Sequence, residues 1–258
     1  MLLVPILMLV IGVFVGLIVE LSGQSIVSRT QSQALYDVQD ALSRIEQDVK
    51  LSVGFLATNS FTPSSPQGIN NDTTAFVNAD QPTSGSRILI LNMPATTINP
   101  NDPAVKPIYG VNSPAACSST DVVNNSAQKY NIVYFLKNGS LWRRTLMPAS
   151  YNSLTSWCAV PYQQPSCAVG TTGGVCATED VEVLPYATAF NLNYYPIASS
   201  TTANTVVNNT ANSNATRDAQ FLTLNTVNVD LTSSRTIAGK TVTKSGSARI
   251  TIIKYSAF

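Results

Sequence analysis

Met1-Leu-Leu-Val-Pro-Ile-Leu-Met-Leu-Val-Ile-Gly-Val-Phe-Val-Gly-Leu-Ile-Val-Glu-Leu21 leads without a break into a helical stretch containing Ala34-Leu-Tyr-Asp-Val-Gln-Asp-Ala-Leu-Ser-Arg-Ile-Glu-Gln-Asp-Val-Lys50. The first run holds one charge, Glu20, and matches the about 20 apolar residues needed to cross a hydrocarbon core of about 30 Å. A secretory signal would show a basic start, a shorter apolar core and a small-residue cleavage site, so the segment reads as retained. Pro5 lies near the helix start, where a missing amide donor costs little, while Gly12, Gly16 and Gly23 are points of bending or close packing.

In the second run the periodicity turns amphipathic. Leu35, Val38, Leu42, Ile45, Val49 and Leu56 recur at helical steps and predict one buried stripe. Asp40 with Arg44, and Glu46 with Lys50, stand four apart in the favourable acid-first order. Together the runs predict one helix over residues 1–57, apolar in 1–22 and amphipathic in 23–57. At about 1.5 Å per residue that is a rod of about 80 Å.

The rest of the 258-residue chain, 58–258, is the size of one globular head with its own core. Charged residues make up only 11% and the net charge is +1, so no whole-surface footprint for nucleic acid exists. The chain has no histidine, which removes Ser-His-Asp and Cys-His nucleophiles and the common metal-hydrolase sites. Glu179-Asp180 with Glu182 is among the nearest acidic groupings and is expected on an exposed loop. No catalysis, metal or cofactor is expected. The four cysteines, Cys117, Cys158, Cys167 and Cys176, suggest two disulfides in an exported domain, with Cys167–Cys176 and Cys117–Cys158 favoured among three pairings. Topology signals conflict, because Arg29 after the apolar run places the head inside by the positive-inside rule, whereas the cysteines point outward.

Strand signals fill the head. They are Arg87-Ile-Leu-Ile-Leu-Asn, Tyr130-Asn-Ile-Val-Tyr-Phe-Leu-Lys and Ser140-Leu-Trp-Arg-Arg-Thr-Leu, then Val181-Glu-Val-Leu, Ala189-Phe-Asn-Leu-Asn-Tyr-Tyr, a run from Phe221 to Leu231, and Ser247-Ala-Arg-Ile-Thr-Ile-Ile-Lys-Tyr. Asn138-Gly139 predicts a type I′ hairpin turn. Residues 59–86, 147–178 and 199–218 read as loops or insertions. The expected fold is α+β, a long N-terminal helix packed on a mainly antiparallel β-sheet head. Trp142-Arg143-Arg144 raises a single-stranded nucleic-acid contact, joined by Lys240, Lys244, Arg249 and Lys254; on a strand, however, Arg143 and Arg144 point to opposite faces.

An apolar-then-amphipathic helix, the motif Leu42-Ser-Arg-Ile-Glu-Gln-Asp48-Val, the hairpin Ile132-Val-Tyr-Phe-Leu-Lys-Asn-Gly-Ser-Leu-Trp-Arg-Arg144 and Tyr194-Tyr195 together resemble type IV pilin-like proteins, in particular minor pilins and type II secretion pseudopilins. Members of that family carry a basic leader and a glutamate five residues into the mature chain. Met1-Leu-Leu-Val-Pro stands where the residues after that glutamate would fall, and Glu20 lies too far along to replace it. The resemblance implies an extracellular filament subunit serving attachment, motility or DNA uptake, anchored in the membrane before assembly. Its partners would be other subunits, the pilus assembly machinery, and DNA or a host surface. Leu3, Pro5, Leu9, Gly12, Val13, Gly16 and Glu20 would lie on the membrane and filament helix, with Gly12 and Gly16 as a small-xxx-small contact. The competing expectation is a membrane-anchored surface-binding protein that does not polymerise.

Overall fold

The computed structural model describes residues 3–61, 76–78, 86–102, 104–109, 127–151, 157–171, 175–209 and 211–253, without the side chains of 3–10 and 19. Helix α1 (Leu3–Leu51) takes in both halves of the opening stretch and, with 49 residues, runs for about 74 Å. Pro5 sits in its first turn, where amides have no partner within the helix. At the other end Ser52 turns both its amide (3.2 Å) and its hydroxyl (2.8 Å) to the Val49 carbonyl, and the chain leaves as the short strand β1 (Gly54–Phe55). The helix therefore stops before Leu56, the last residue of the expected stripe.

The strands that follow are β2 (Leu89–Pro94), β3 (Lys129–Lys137), β4 (Ser140–Leu146), β5 (Ser166–Cys167), β6 (Thr178–Glu179), β7 (Val181–Leu184) and β8 (Ala187–Tyr195). Helices α2 (Thr205–Asn208) and α3 (Asn214–Phe221) precede β9 (Thr226–Ile237) and β10 (Lys240–Thr251). A five-stranded antiparallel sheet has the order β1-β2-β3-β4-β7, and a three-stranded antiparallel sheet the order β10-β9-β8. A parallel β5–β6 pair stands apart. The expected α+β architecture is the observed one.

Asn138 and Gly139 adopt φ of 52° and 75° between paired Lys137 and Ser140, the tight hairpin that the Asn-Gly signal predicts. A second such turn, Ala238-Gly239 with φ of 50° and 74°, joins β9 to β10. These last strands are longer than their apolar runs. Residues 232–246 pair through side-chain hydroxyls across the ladder, Thr232 with Ser245 (3.0 Å), Ser234 with Thr243 (2.9 Å) and Thr236 with Thr241 (3.1 Å). Phe221 ends α3 and Leu222 is exposed, so the strand begins five residues later than its apolar run.

The second half of α1 buries Ala34, Val38, Ala41, Leu42, Ile45 and Val49. Leu35, expected in that stripe, is 40% exposed, and Ala34 and Thr30 are inside instead. At β10 the helix comes so close that a Cβ on Gly246 would stand 2.7 Å from Val38 Cγ1 and 2.9 Å from Leu42 Cδ1. Only a residue without a side chain admits that approach.

Alternation along β3 sorts the core into two layers. Tyr130, Ile132, Tyr134 and Leu136 join the helix in the main cluster, while Val133 and Phe135 face Phe76, Ile88, Ile90 and Leu146 on the other side. The five-stranded sheet is thus covered on both faces. Part of the second cover comes from within the expected 59–86 loop, with Thr58 bridging Val77 and Phe76 buried. The 199–218 insertion also carries structure. Asn204 Oδ1 accepts from the amides of Val206 (2.9 Å) and Val207 (3.0 Å), and Ser213 Oγ from that of Thr216 (3.2 Å). Residues read as loop formers are helix caps. Asp218 of α3 then accepts from the Ala57 amide at 2.7 Å, tying the insertion to the chain after α1.

Candidate functional site

The first half of α1 differs from the second in that, from residue 11 to residue 29, none of its described side chains is buried. Ile11, Val13, Phe14, Val15, Leu17, Ile18 and Leu21 are between 49% and 65% exposed and spread over more than half the circumference, with Gly12, Gly16 and Gly23 on the remaining side. Gly12, Gly16 and Gly23 each have open space where a side chain would go. Glu20 is exposed on the same segment, and Leu3, Pro5 and Leu9 lie in its helical backbone. A helix that is apolar all round has no face suited to water, and α1 is long and apolar enough here to cross a bilayer. The segment can associate with lipid or with other helices.

Arg143 and Arg144 point to opposite faces of β4, as their adjacency requires, and each is paired with a carboxylate. Arg143 turns under α1, with Nε 2.6 Å from Asp48 Oδ2 and Nη2 3.3 Å from Oδ1. Tyr134 donates its hydroxyl to the same Oδ2 at 2.5 Å. Burial works against the Arg143 charge, but Asp48, with Tyr134 and Tyr130, outweighs it and raises the pKa above the usual arginine value. Burial, reinforced by Asp48, pushes the Tyr134 hydroxyl well above the ordinary tyrosine range. Asp48 is thus the polar lock between helix and sheet, joining the helix motif to the hairpin. Its place between the buried positions Ile45 and Val49 is the sequence signal that could have shown it.

Arg144 is 1% exposed in the second core layer. Its Nε lies 2.9 and 3.0 Å from the two Asp180 oxygens, its Nη2 also bonds Asp180, and its guanidinium lies 5.7 and 5.6 Å from the Phe76 and Phe135 ring centres. Ser166 donates to Asp180 at 2.9 Å and accepts from the Thr145 amide at 2.9 Å. Burial lowers the Arg144 pKa, while the Asp180 carboxylate opposes the shift. Asp180, expected on an exposed loop, is buried because Arg144 needs a counter-charge inside.

Of the other basic candidates, Lys240, Lys244 and Arg249 lie on β10, in the three-stranded sheet. Arg249 lies 3.8 Å over the Tyr195 ring and donates to Ser200 O, Lys240 is exposed at the β9–β10 turn, and Lys254 is outside the described residues. Cys167 and Cys176 form a disulfide, as favoured. The amide of Asp180 donates to the Cys167 carbonyl at 2.7 Å, so this closed loop also holds the Arg144 partner. Cys158 is disulfide-bonded as well, and Cys117 lies outside the described residues.

An apolar N-terminal helix, an antiparallel head and a disulfide are compatible with a pilin-like fold. No protein-family model matches the chain, and no curated protein matches it either.

Proposed function

We propose that this protein is a structural subunit, a pilin or minor pilin, of an extracellular type IV pilus-like filament. The observation that carries the reading is the contrast within α1, one unbroken helix whose second half is packed on the head and whose first half is apolar and uncovered. Before assembly the first half rests in the membrane. In the filament it exchanges lipid contacts for contacts with the same segment of other subunits, with Gly12 and Gly16 permitting close backbone approach. The assembly machinery then moves a rigid object, because Asp48 and the buried stripe fix the head to the rod. Attachment, motility or DNA uptake would be the work of the exposed head.

Cells expressing the protein with cysteines in place of Gly12 and Gly16 test this directly. Sheared surface material should contain filaments carrying the protein, and mild oxidation should link subunits through the helix. Recovery from membranes alone, with no polymer and no cross-link, would leave a membrane-anchored surface protein and end the filament reading.

A further inference from the structure

A cleft of about 540 Å³ opens between the last turns of α1, the start of β3 and the segment before β5. That volume falls within the about 300–1,000 Å³ usual for small-molecule sites. Leu51, Met93 and Pro100 give it a partly apolar floor. Its wall is built. Gln163 accepts from the Thr96 amide (3.0 Å) and donates to Thr96 Oγ1 (2.7 Å), and the Tyr162 amide donates to the Thr96 carbonyl (2.8 Å). This anchoring displays Tyr162 and Gln164 on either side of a fixed residue, both exposed and both lining the cleft.

Polar groups converge there without partners. Tyr130 is 2% exposed, lines the cleft, and makes no hydrogen bond through its hydroxyl among the described residues. Burial, with Asp48 adding to it, raises its pKa above the tyrosine range, and the group remains a neutral donor and acceptor. The side-chain amides of Gln47, Asn101 and Gln164 line the same space, likewise unbonded among the described residues. Each offers one acceptor and two donors. The charges do not add up to a field of one sign, because Arg143 is neutralised by Asp48, while Arg44 and Glu179 bring opposite charges.

We propose that this cleft binds neutral carbohydrate. Amides and a tyrosine hydroxyl, each both donor and acceptor, match sugar hydroxyls, which are the same, and the exposed Tyr162 ring offers a flat surface for the apolar face of a pyranose. An anion would meet no net positive charge, and an apolar ligand would strand Tyr130 and three amides. Arg44 stands about 33 Å along α1 from Ser22, so the cleft lies well away from the apolar half. The proposal does not depend on filament assembly.

The test is calorimetric titration of the full chain, in a detergent without sugar headgroups, with maltotriose, cellotriose, chitotriose and lactose, and with sialyllactose and a heparin disaccharide as anionic probes. At least one neutral sugar should bind with little dependence on salt. Tyr130→Phe and Gln47→Ala should each weaken it about fivefold, and Tyr162→Ala about tenfold, with melting temperatures unchanged. Three results would overturn the proposal. They are no neutral sugar bound at about 10 mM, preferential binding of the anionic probes through Arg44, or sugar binding that survives all three substitutions.

Discussion

Ile18 and Ile45 belong to one helix, yet Ile18 remains 49% exposed and Ile45 is fully buried. The difference comes from their neighbours around the helix. Ile45 shares its turn with Arg44, Glu46 and Asp48, so only one face is apolar and only one arrangement on a sheet buries it. Ile18 is flanked by Leu17 and Leu21 on a segment with no polar face, and no single sheet could cover it. Burial in the head follows amphipathicity; apolar character all round calls for a second medium, lipid or other helices. On the proposed reading the rod serves two environments, and the change between uncovered and packed falls at Thr30, the first buried residue of α1 among those whose side chains are described.

Paired substitutions can break this comparison. Ile45→Ala should lower head stability by about 2–5 kcal/mol in denaturant melts, through lost burial and a residual cavity. Ile18→Ala should change it by under about 0.5 kcal/mol. Equal effects would mean that the two halves are not distinct. A glycine pair sharpens the point. Gly246→Val should cost about 1–3 kcal/mol because its Cβ meets Val38 and Leu42, whereas Gly16→Leu should leave the melt unchanged and reduce the yield of sheared filaments.

Asp48→Asn tests the lock itself. Losing a charge-assisted, part-buried pair should cost about 1–2 kcal/mol and speed amide exchange in residues 44–51, leaving residues 11–28 unaffected. The smallest effect is on pH dependence. Tyr130, Tyr134 and Tyr194 are buried on the sheet faces in the main cluster, and burial raises the pKa of each. Folded, they keep their protons where the unfolded chain, titrating near the ordinary value of about 10, releases them. Their contribution is intact below that value and is lost as pH rises past it, by about 1 kcal/mol in total at pH 10. A melting temperature flat from pH 8 to 11 would contradict this.

The exposed half of α1, the packed half and the Asn138-Gly139 hairpin were legible because each rests on local pattern, composition in the first case, a 3.6-residue period in the second and turn chemistry in the third. The β9–β10 extension was hidden, since its Thr and Ser pairs stabilise a ladder without apolar alternation and Ala238-Gly239 makes a weaker turn signal than Asn-Gly. Asp180 looked like a loop carboxylate because Arg144, which buries it, lies 36 positions away. Leu35 illustrates the one-residue sensitivity of a helical face, because Ala34 is buried in its place and Leu35 is left 40% exposed. The cleft was illegible for the same reason as Asp180, its lining being drawn from residues 44 to 181.

Removing residues 1–25 and measuring the thermal unfolding of the remainder in buffer without detergent tests the division of α1 most directly. The shortened chain should be soluble and monomeric and melt within about 2 °C of the full chain, since no side chain described in the removed segment is buried in the head. A fall of about 10 °C or more, or failure to fold, would show that the apolar half supports the head and would contradict the account.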